Sequence, residues 1–123
     1  MSKAPTRVAI VDDEPSVRSA LARLLGASSF EVKTYGSARE FIDSIGSGSP
    51  ECLVLDLHMP EFTGLDLLRY LQRQNDKIPT VVITAFDDDD IRQRCAEFGA
   101  KAFLKKPLHG PVLIESIRAA TSS

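Results

Sequence analysis

Five side chains that could take part in chemistry stand at or just after the end of a short apolar run: Asp12, Asp13, Asp56, Thr84 and Lys106. Three carboxylates held close together repel one another, and partial burial would raise the pKa of at least one of them. A divalent cation relieves this repulsion, and Mg²⁺ prefers oxygen ligands while keeping several waters. The lysine would add a second positive charge and the threonine a hydroxyl donor. Together these groups indicate a phosphoryl-transfer site in which an aspartate is the nucleophile.

Each of these residues also has a structural explanation when it is considered alone. An acidic residue after a strand, such as Asp12 or Asp13, often caps the following helix. A threonine at a strand end is commonly structural, and a lysine is commonly solvated. Asp56 is harder to explain in this way, because it follows four apolar residues and nothing local requires its charge. The structural explanations would all have to hold at one edge of one sheet, so we favour the chemical interpretation.

The elements that must position these residues alternate between strand and helix. Apolar or alternating runs predict five strands, at residues 7–11, 30–35, 52–55, 80–83 and 102–104. Helical spacing predicts five helices, which begin near Pro15, Ser37, Gly64, Asp87 and Gly110. This alternation implies right-handed crossovers and a parallel sheet with helices on both faces. We predict a doubly wound, flavodoxin-like α/β fold with strand order 2-1-3-4-5, whose carboxyl strand ends share one crevice.

Several details of the helices follow from local patterns. Glycine is predicted to end the first helix at Gly26 and the fourth at Gly99. Ser37 and Glu40 have the spacing of a capping box at the start of the second helix. The last helix is predicted to pack inward through Val112, Leu113 and Ile117.

Length and composition predict one ordinary globular domain. The chain has 123 residues, 26% of them charged, and a net charge of -2, which does not favour nucleic acid or an anionic membrane as a direct partner. There is no signal-peptide pattern and no run of spanning length, so we expect a cytoplasmic protein. Cys52 and Cys95 fall in core-like patterns and are expected to be reduced thiols. We expect a single domain over residues 1–123, frayed at 1–6 and 121–123, with no output domain in this chain.

Over essentially the whole chain, the ordered set of motifs resembles the receiver domains of two-component response regulators. The matching segments are Val-Asp-Asp-Glu at 11–14, Leu-Asp-Leu-His-Met-Pro at 55–60 with Gly64, Thr-Ala at 84–85 and Lys-Pro at 106–107. The spacings also match, with 44 residues from Asp12 to Asp56, 28 more to Thr84 and 22 more to Lys106. Two of the motifs, Leu-Asp-Leu-His-Met-Pro at 55–60 and Ile-Thr-Ala-Phe at 83–86, are similar in sequence to those of transcriptional regulators with a C-terminal helix-turn-helix domain.

The resemblance implies a phosphoacceptor and a metal site. Asp56 would accept a phosphoryl group from the phosphohistidine of a sensor histidine kinase. Asp12 and Asp13 would bind Mg²⁺, for which Mn²⁺ can substitute, together with the Asp56 side chain and the His58 backbone carbonyl. The domain would then be a signalling module that catalyses its own phosphorylation and dephosphorylation, and not an enzyme acting on other substrates.

The resemblance also implies a switch. Lys106, which precedes Pro107 in an expected cis peptide bond, would contact the phosphoryl group, whereas Lys105 would be solvated. Thr84 would hydrogen-bond the phosphoryl oxygen, and Phe103 occupies the position of the family's switch aromatic residue. We expect phosphorylation to draw Thr84 towards the site and to let Phe103 rotate inward. That motion would alter the surface of helix 4, strand 5 and helix 5, through which a homodimer or an output domain could respond.

Two other features are specific to this sequence. His58 and Phe86 occupy variable positions that flank the phosphorylation site in the family, and we expect them to tune the lifetime of the phosphoryl group. The run from Asp87 to Asp90 is interpreted first as helix capping, with partner docking or attraction of further cation as the alternative.

Three alternative functions fit the sequence less well than a receiver domain does. A degenerate receiver used only for protein contacts would have lost some of the acidic pair, Asp56, Thr84 or Lys106. A phosphatase of the haloacid dehalogenase type would show Asp-x-Asp after the first strand, whereas Asp56 is followed by Leu57 and His58. A flavodoxin-like cofactor binder would have a phosphate-binding loop after the first strand, and none is present in the sequence.

Overall fold

The computed structural model describes residues 4–86 and 88–122 of the chain. Within these ranges, strands and helices alternate in the order β1 (Arg7–Val11), α1 (Pro15–Ala27), β2 (Glu31–Tyr35), α2 (Ala38–Ile45), β3 (Cys52–Asp56), α3 (Gly64–Arg73), β4 (Thr80–Thr84), α4 (Asp89–Glu97), β5 (Ala100–Lys105) and α5 (Gly110–Thr121). All strand pairings are parallel, and the sheet order is β2-β1-β3-β4-β5. The predicted doubly wound fold is therefore confirmed.

The sheet separates two apolar clusters, because successive side chains of a strand point to opposite faces. Ala9 and Val11 pack with α2, α3 and α4 on one face, whereas Val8 and Ile10 pack with α1 and α5 on the other. Every residue of β3 and β4 is buried, while the edge strands β2 and β5 are partly exposed. Cys52 and Cys95 are free thiols within these clusters, and burial raises the pKa of Cys52 to about 12.

The end of the first helix differs from the prediction. α1 continues through Gly26 to Ala27, and the turn is closed by the backbone N–H of Ser28, which donates to the carbonyl of Leu25. The left-handed conformation that commonly follows a helix is adopted here by Ser29, with φ 71°, and not by a glycine. Gly99, by contrast, follows α4 with φ 96°, as expected of a glycine that ends a helix.

The inward face of α5 is narrower than predicted. Leu113 and Ile117 are fully buried, but Val112 is 49% exposed, so its predicted inward packing is wrong. Successive residues of an α-helix are separated by about 100° around its axis, and the face that contains Leu113 and Ile117 excludes the residue before Leu113. β5 is also longer than the predicted run at residues 102–104, since it begins at Ala100 and ends at Lys105.

The starts of α2 and α3 show how side chains satisfy free backbone donors. Ser37 accepts a hydrogen bond from the Glu40 N–H, as predicted, but the Glu40 carboxylate accepts from the N–H of Gly36 instead of that of Ser37. The complete capping box is at α3, where Thr63 and Asp66 bind each other's backbone N–H. The acidic residue of this capping box is Asp66 and not a glutamate, so the Ser/Thr-x-x-Glu pattern did not reveal the box in the sequence.

The expected frayed segments, at 1–6 and 121–123, lie partly outside the described residues, and Thr121 is the last residue of α5. Among the helices that the structure describes, none is both long enough and apolar enough to span a membrane.

Candidate functional site

Three carboxylates meet at the carboxyl edge of the sheet. β1 and β3 are neighbours, with Val11 paired to Leu55, so the residues that follow them, Asp12 and Asp56, lie side by side. Asp12, Asp13 and Asp56 each place one carboxylate oxygen within 4.8 Å of the others. Asp12 is fully buried and Asp56 is 2% exposed. The structure therefore brings together the three aspartates that the sequence singled out.

Lys106 lies between two of these carboxylates. Its Nζ is 3.2 Å from Asp12 Oδ2, to which it donates a hydrogen bond, and 3.6 Å from Asp56 Oδ1. The other Asp12 oxygen accepts from the N–H of Glu14 at 2.9 Å, and Asp56 Oδ1 accepts from the N–H of His58 at 3.3 Å. One ammonium group thus offsets part of the charge of the carboxylate cluster. Lys105 is exposed, and the Lys106–Pro107 bond is cis, as the resemblance implied.

The charge balance of the site is reflected in two pKa shifts. Burial raises the pKa of Asp56 above its ordinary value, and the neighbouring Asp12 carboxylate raises it further, while Lys106 opposes this shift. Burial alone would lower the pKa of Lys106, but the carboxylates of Asp56 and Asp12 outweigh that effect and raise it. The phosphoacceptor candidate is thus a carboxylate whose charge is only partly compensated by its protein neighbours.

Main-chain hydrogen bonds fix the positions of the strand ends that surround Asp56. The N–H of Leu57 donates to the carbonyl of Ile83 at 3.2 Å, and the N–H of Lys106 donates to the carbonyl of Thr84 at 2.7 Å. Thr84 is fully buried, and its hydroxyl oxygen accepts from the N–H of Phe86. The hydroxyl and lysine predicted from the sequence therefore sit at the ends of adjacent strands, β4 and β5.

Gly64 allows α3 to begin directly against β3. A Cβ atom at this position would lie 2.4 Å from the carbonyl oxygen of Asp56 and 2.8 Å from the Cα of Leu57. The N–H of Gly64 also donates to the carbonyl of Leu57 at 3.2 Å. The glycine in the motif after Asp56 is required by this close backbone approach, and any side chain would displace the strand end.

His58 and Phe86 form an aromatic contact between the loops that follow β3 and β4. Their ring centroids are 4.4 Å apart with an interplanar angle of 61°, an edge-to-face arrangement. His58 is exposed and Phe86 is 61% exposed. Phe86 is therefore held near the site by an exposed partner and by the bond from its N–H to Thr84, and not by core packing.

Phe103 is partly buried on the face of the sheet that α4 covers. It packs against the cluster that includes Val82 and Cys95, and the guanidinium of Arg92 in α4 lies 4.8 Å from its ring centroid. This distance is within the range of a cation–π interaction. Movement of the Phe103 ring would alter the contact between β5 and α4.

The acidic run before α4 caps that helix. Asp88 accepts hydrogen bonds from the N–H groups of Asp90 and Ile91, and Asp90 lies 3.5 Å from Arg94 one turn later. These contacts fit the capping interpretation for Asp88 to Asp90. Asp87, the first member of the run, lies outside the described residues.

Sequence reasoning missed one side chain that contacts the site. Arg18, in the first turns of α1, donates a hydrogen bond from Nη1 to the carbonyl oxygen of Asp12 at 2.8 Å. A signal was available, because a basic residue near a helix N-terminus is unfavourable for the helix dipole and indicates a specific acceptor nearby.

The donor set fits a small, hard divalent cation. Two oxygens bound to one octahedral Mg²⁺ are separated by roughly 3 to 4 Å, given metal–oxygen distances of about 2.0–2.1 Å. The carboxylate oxygens of Asp12, Asp13 and Asp56, all within 4.8 Å of one another, need only small movements to reach this spacing. The site contains oxygen ligands and no thiol or imidazole among the described side chains of the cluster, which disfavours a soft metal.

A parallel sheet of order 2-1-3-4-5 with an acidic cluster and a lysine at its carboxyl edge defines a class of signalling domain. The sequence profile described as "Response regulator receiver domain" matches residues 8–118. The chain therefore belongs to the receiver-domain family of response regulators.

Individual relatives agree with this assignment. The chain is 36% identical over 113 residues to the transcriptional regulatory protein TdiR of Thauera aromatica. The aligned region covers 92% of this chain and 50% of TdiR. It is 38% identical over 114 residues to nodulation protein W of Bradyrhizobium diazoefficiens. This aligned region covers 93% of this chain and 50% of that relative. The crystal structure of FixJ-N is similar with a TM-score of 0.89 and 37% identity, covering 99% of this chain and 96% of that one.

The two curated relatives extend beyond the region of similarity. The chain spans about half the length of the curated relatives named above. Their printed names describe whole proteins, whereas the similarity concerns the receiver domain alone.

Proposed function

We propose that Asp56 accepts a phosphoryl group from the phosphohistidine of a sensor histidine kinase in a Mg²⁺-dependent reaction. The single observation that supports this proposal most strongly is the environment of Asp56. Its carboxylate is almost fully buried at the end of β3, has a raised pKa, and lies among two further carboxylates and one lysine. A purely structural role would not require such an arrangement of charge.

The transfer requires positioning and charge compensation more than it requires a general base. An Asp56 oxygen attacks phosphorus in line, the P–O bond forms as the P–N bond to the donor imidazole breaks, and the imidazole leaves with the electron pair. Lys106 compensates charge on the phosphoryl oxygens, and the Thr84 hydroxyl can donate a hydrogen bond to one of them. Asp12, Asp13, Asp56 and the His58 carbonyl would hold Mg²⁺, which supplies further positive charge at those oxygens.

Phosphorylation would then switch the surface formed by α4, β5 and α5. We expect Thr84 to move towards the phosphoryl group and to donate its hydroxyl proton to a phosphoryl oxygen, which its present role as acceptor from the Phe86 N–H does not prevent. Space vacated by Thr84 would be filled by Phe103, and inward rotation of that ring would weaken its contact with Arg92. Ring orientation and the α4–β5–α5 surface should therefore differ with a phosphoryl mimic such as beryllofluoride; the same orientation in both states would contradict the switch.

The downstream response is proposed from the relatives. One is a transcriptional regulatory protein and another a nodulation protein, and each is about twice the length of this chain. We infer that the switched surface controls a homodimer or an output domain involved in transcription in the cytoplasm, and that this domain itself does not contact nucleic acid. In this role the domain catalyses only its own phosphorylation and dephosphorylation.

The central test is incubation with Mg²⁺ and phosphoramidate, a donor with a P–N bond, followed by intact mass spectrometry. We expect one added phosphoryl group that is lost in Asp56→Asn, retained in the matched control Asp76→Asn, and abolished by EDTA. An adduct that persists in Asp56→Asn would contradict the assignment of the phosphoacceptor. Absence of any adduct would favour the degenerate receiver, and release of phosphate over many turnovers would favour a phosphatase.

A further inference from the structure

Arg18 binds the backbone that connects two of the three acidic residues. Its side chain is half-buried, and Nη1 donates to the Asp12 carbonyl oxygen at 2.8 Å. That oxygen belongs to the peptide group between Asp12 and Asp13, so the bond orients the plane that links the two residues. A hydrogen bond from a charged donor is also stronger than one between neutral groups.

Other bonds hold the same turn, but from different directions. The N–H of Asp12 donates to the carbonyl of Tyr35 in β2 at 3.1 Å, and the N–H of Glu14 donates to Asp12 Oδ1 at 2.9 Å. The first fixes the turn against the sheet, and the second fixes the Asp12 carboxylate. The Arg18 hydrogen bond instead holds the Asp12 carbonyl oxygen. It therefore orients the peptide group that precedes the Cα atom of Asp13.

The turn between β2 and α2 leaves room for the Arg18 side chain. A Cβ atom on Gly36 would lie 3.2 Å from Arg18 Nη1 and 3.1 Å from Glu40 Oε2. The N–H of Gly36 donates to that same Glu40 oxygen at 2.8 Å, which fixes the glycine in place. Arg18 is thus confined between α1, this turn and the Asp12 carbonyl, and is not a freely moving surface side chain.

The charge of Arg18 and its geometry have opposite consequences for a bound cation. A guanidinium close to the carboxylates repels Mg²⁺ and opposes the dipole of α1. A fixed Asp12–Asp13 peptide instead lowers the conformational cost of bringing both carboxylates to one metal ion. Removal of the side chain must therefore strengthen metal binding if charge dominates and weaken it if geometry dominates.

We propose that Arg18 is a positioning residue for the metal site: it holds the Asp12–Asp13 peptide so that both carboxylates are oriented for a divalent cation. This inference rests on the proposed function, because it assumes that the cluster binds Mg²⁺. Residues that orient metal ligands typically change affinity by about 10- to 100-fold when they are lost, and an effect through the backbone should be smaller.

The test is calorimetric titration of the protein with MgCl₂ without a phosphodonor. We expect Arg18→Met to weaken binding by about three- to tenfold, a smaller loss than for a residue that contacts a ligand side chain. Arg23→Met is the matched control, since it removes the same charge from an exposed position of α1; its affinity should equal that of the wild type. Unchanged or tighter binding by Arg18→Met, or an equal loss in Arg23→Met, would overturn the proposal.

A second variant covers the case in which Arg18→Met does not fold. Arg18→Lys keeps the charge but replaces the planar guanidinium with a shorter, single-point donor, so we expect binding about two- to threefold weaker than the wild type. Affinity equal to the wild type would show that the fixed guanidinium is not needed. A wild-type protein that binds no Mg²⁺ would contradict the proposed function itself, whereas wild-type binding with unaltered variants would contradict only the role of Arg18.

Discussion

At the scale of single residues, the exposed Phe86 is the least expected apolar side chain of the site. A phenylalanine with 61% exposure leaves much apolar surface in water, yet its ring contacts His58 and its N–H is bonded to Thr84. These contacts keep the ring beside the strand ends that hold Asp56 and Thr84. A bulky group there can hinder the approach of water to an acyl phosphate.

Replacement of Phe86 by alanine should shorten the life of phosphorylated Asp56. We expect dephosphorylation roughly threefold faster, because water gains access when the ring is lost. The rate can be followed by intact mass after removal of the phosphodonor. Val112→Ala, which truncates an exposed apolar side chain on α5, is the control and should leave the rate unchanged; equal rates for Phe86→Ala and the wild type would contradict shielding by the ring.

Residue types and spacing predicted that the three aspartates and the lysine would lie together, but not that Arg18 would contact them, nor how the side chains contact one another. The order of motifs predicted that Asp12, Asp56 and Lys106 would meet, because parallel strand ends share one edge of the sheet. The bridging position of Lys106, with its hydrogen bond to Asp12, depends on side-chain rotamers that spacing does not define. The bond from Arg18 depends likewise on the path of one long side chain across the turn after β1.

At the scale of elements, the junction between β3 and α3 determines where the proposed phosphoacceptor, Asp56, lies. A Cβ at Gly64 would come within 2.4 Å of the Asp56 carbonyl, a distance that no packing adjustment of a side chain can relieve. Gly26, in α1, is the converse case, because a Cβ there would meet nothing within 4 Å. These glycines should respond to the same substitution with opposite sign.

Alanine substitution at the two positions tests this contrast. Gly64→Ala should lower the free energy of unfolding by about 2–3 kcal/mol through forced backbone movement. Gly26→Ala should raise it by about 0.5–1 kcal/mol, because alanine restricts the unfolded chain and favours a helix. Urea denaturation followed by circular dichroism measures both. A neutral Gly64→Ala variant would show that α3 can move away from β3 without loss.

Elements were easier to predict from the sequence than their ends. The periodicity of apolar residues correctly predicted all the strands and helices of the described chain, since burial on both faces of a parallel sheet leaves a strong pattern. The predicted end of α1 was wrong because the positive φ after the helix, which glycine adopts most readily, is adopted by Ser29. The prediction that Val112 faces inward was wrong because Val112, Leu113 and Ile117 are compatible with two different buried faces of α5. Only packing against the sheet selects one of them.

At the scale of the whole molecule, the charge of Asp56 should lower stability near neutral pH. Its pKa is raised above the ordinary 3.8, so the folded protein binds a proton more readily than the unfolded chain does. The free energy of unfolding should therefore rise as pH falls through the folded pKa, and level off below the ordinary value. The raised pKa of Lys106 stabilises the folded protein at neutral pH, and this contribution is lost only at alkaline pH, as the pH rises above the ordinary 10.5 and through the folded pKa.

Asp56→Asn should remove this cost. In EDTA at neutral pH we expect the variant to be more stable than the wild type, seen as a higher melting temperature. The difference should shrink as the pH is lowered from neutral towards the ordinary pKa of 3.8, because the wild-type carboxyl becomes protonated in the folded state. Asp43→Asn, at an exposed position of α2, should show no such trend. A variant less stable than the wild type across this range would refute the account.

The contrast in burial between the centre and the edge of the sheet has a consequence for local opening. Amide protons exchange with solvent when a segment opens, and segments with less buried surface open at lower free energy. β3, buried along its whole length, should keep its amide protons longest, whereas β5, which is partly exposed, should lose them earlier. We therefore expect the strand that we propose to transmit the signal to open separately, and the strand that we propose to carry the phosphoryl group to open only with the whole domain.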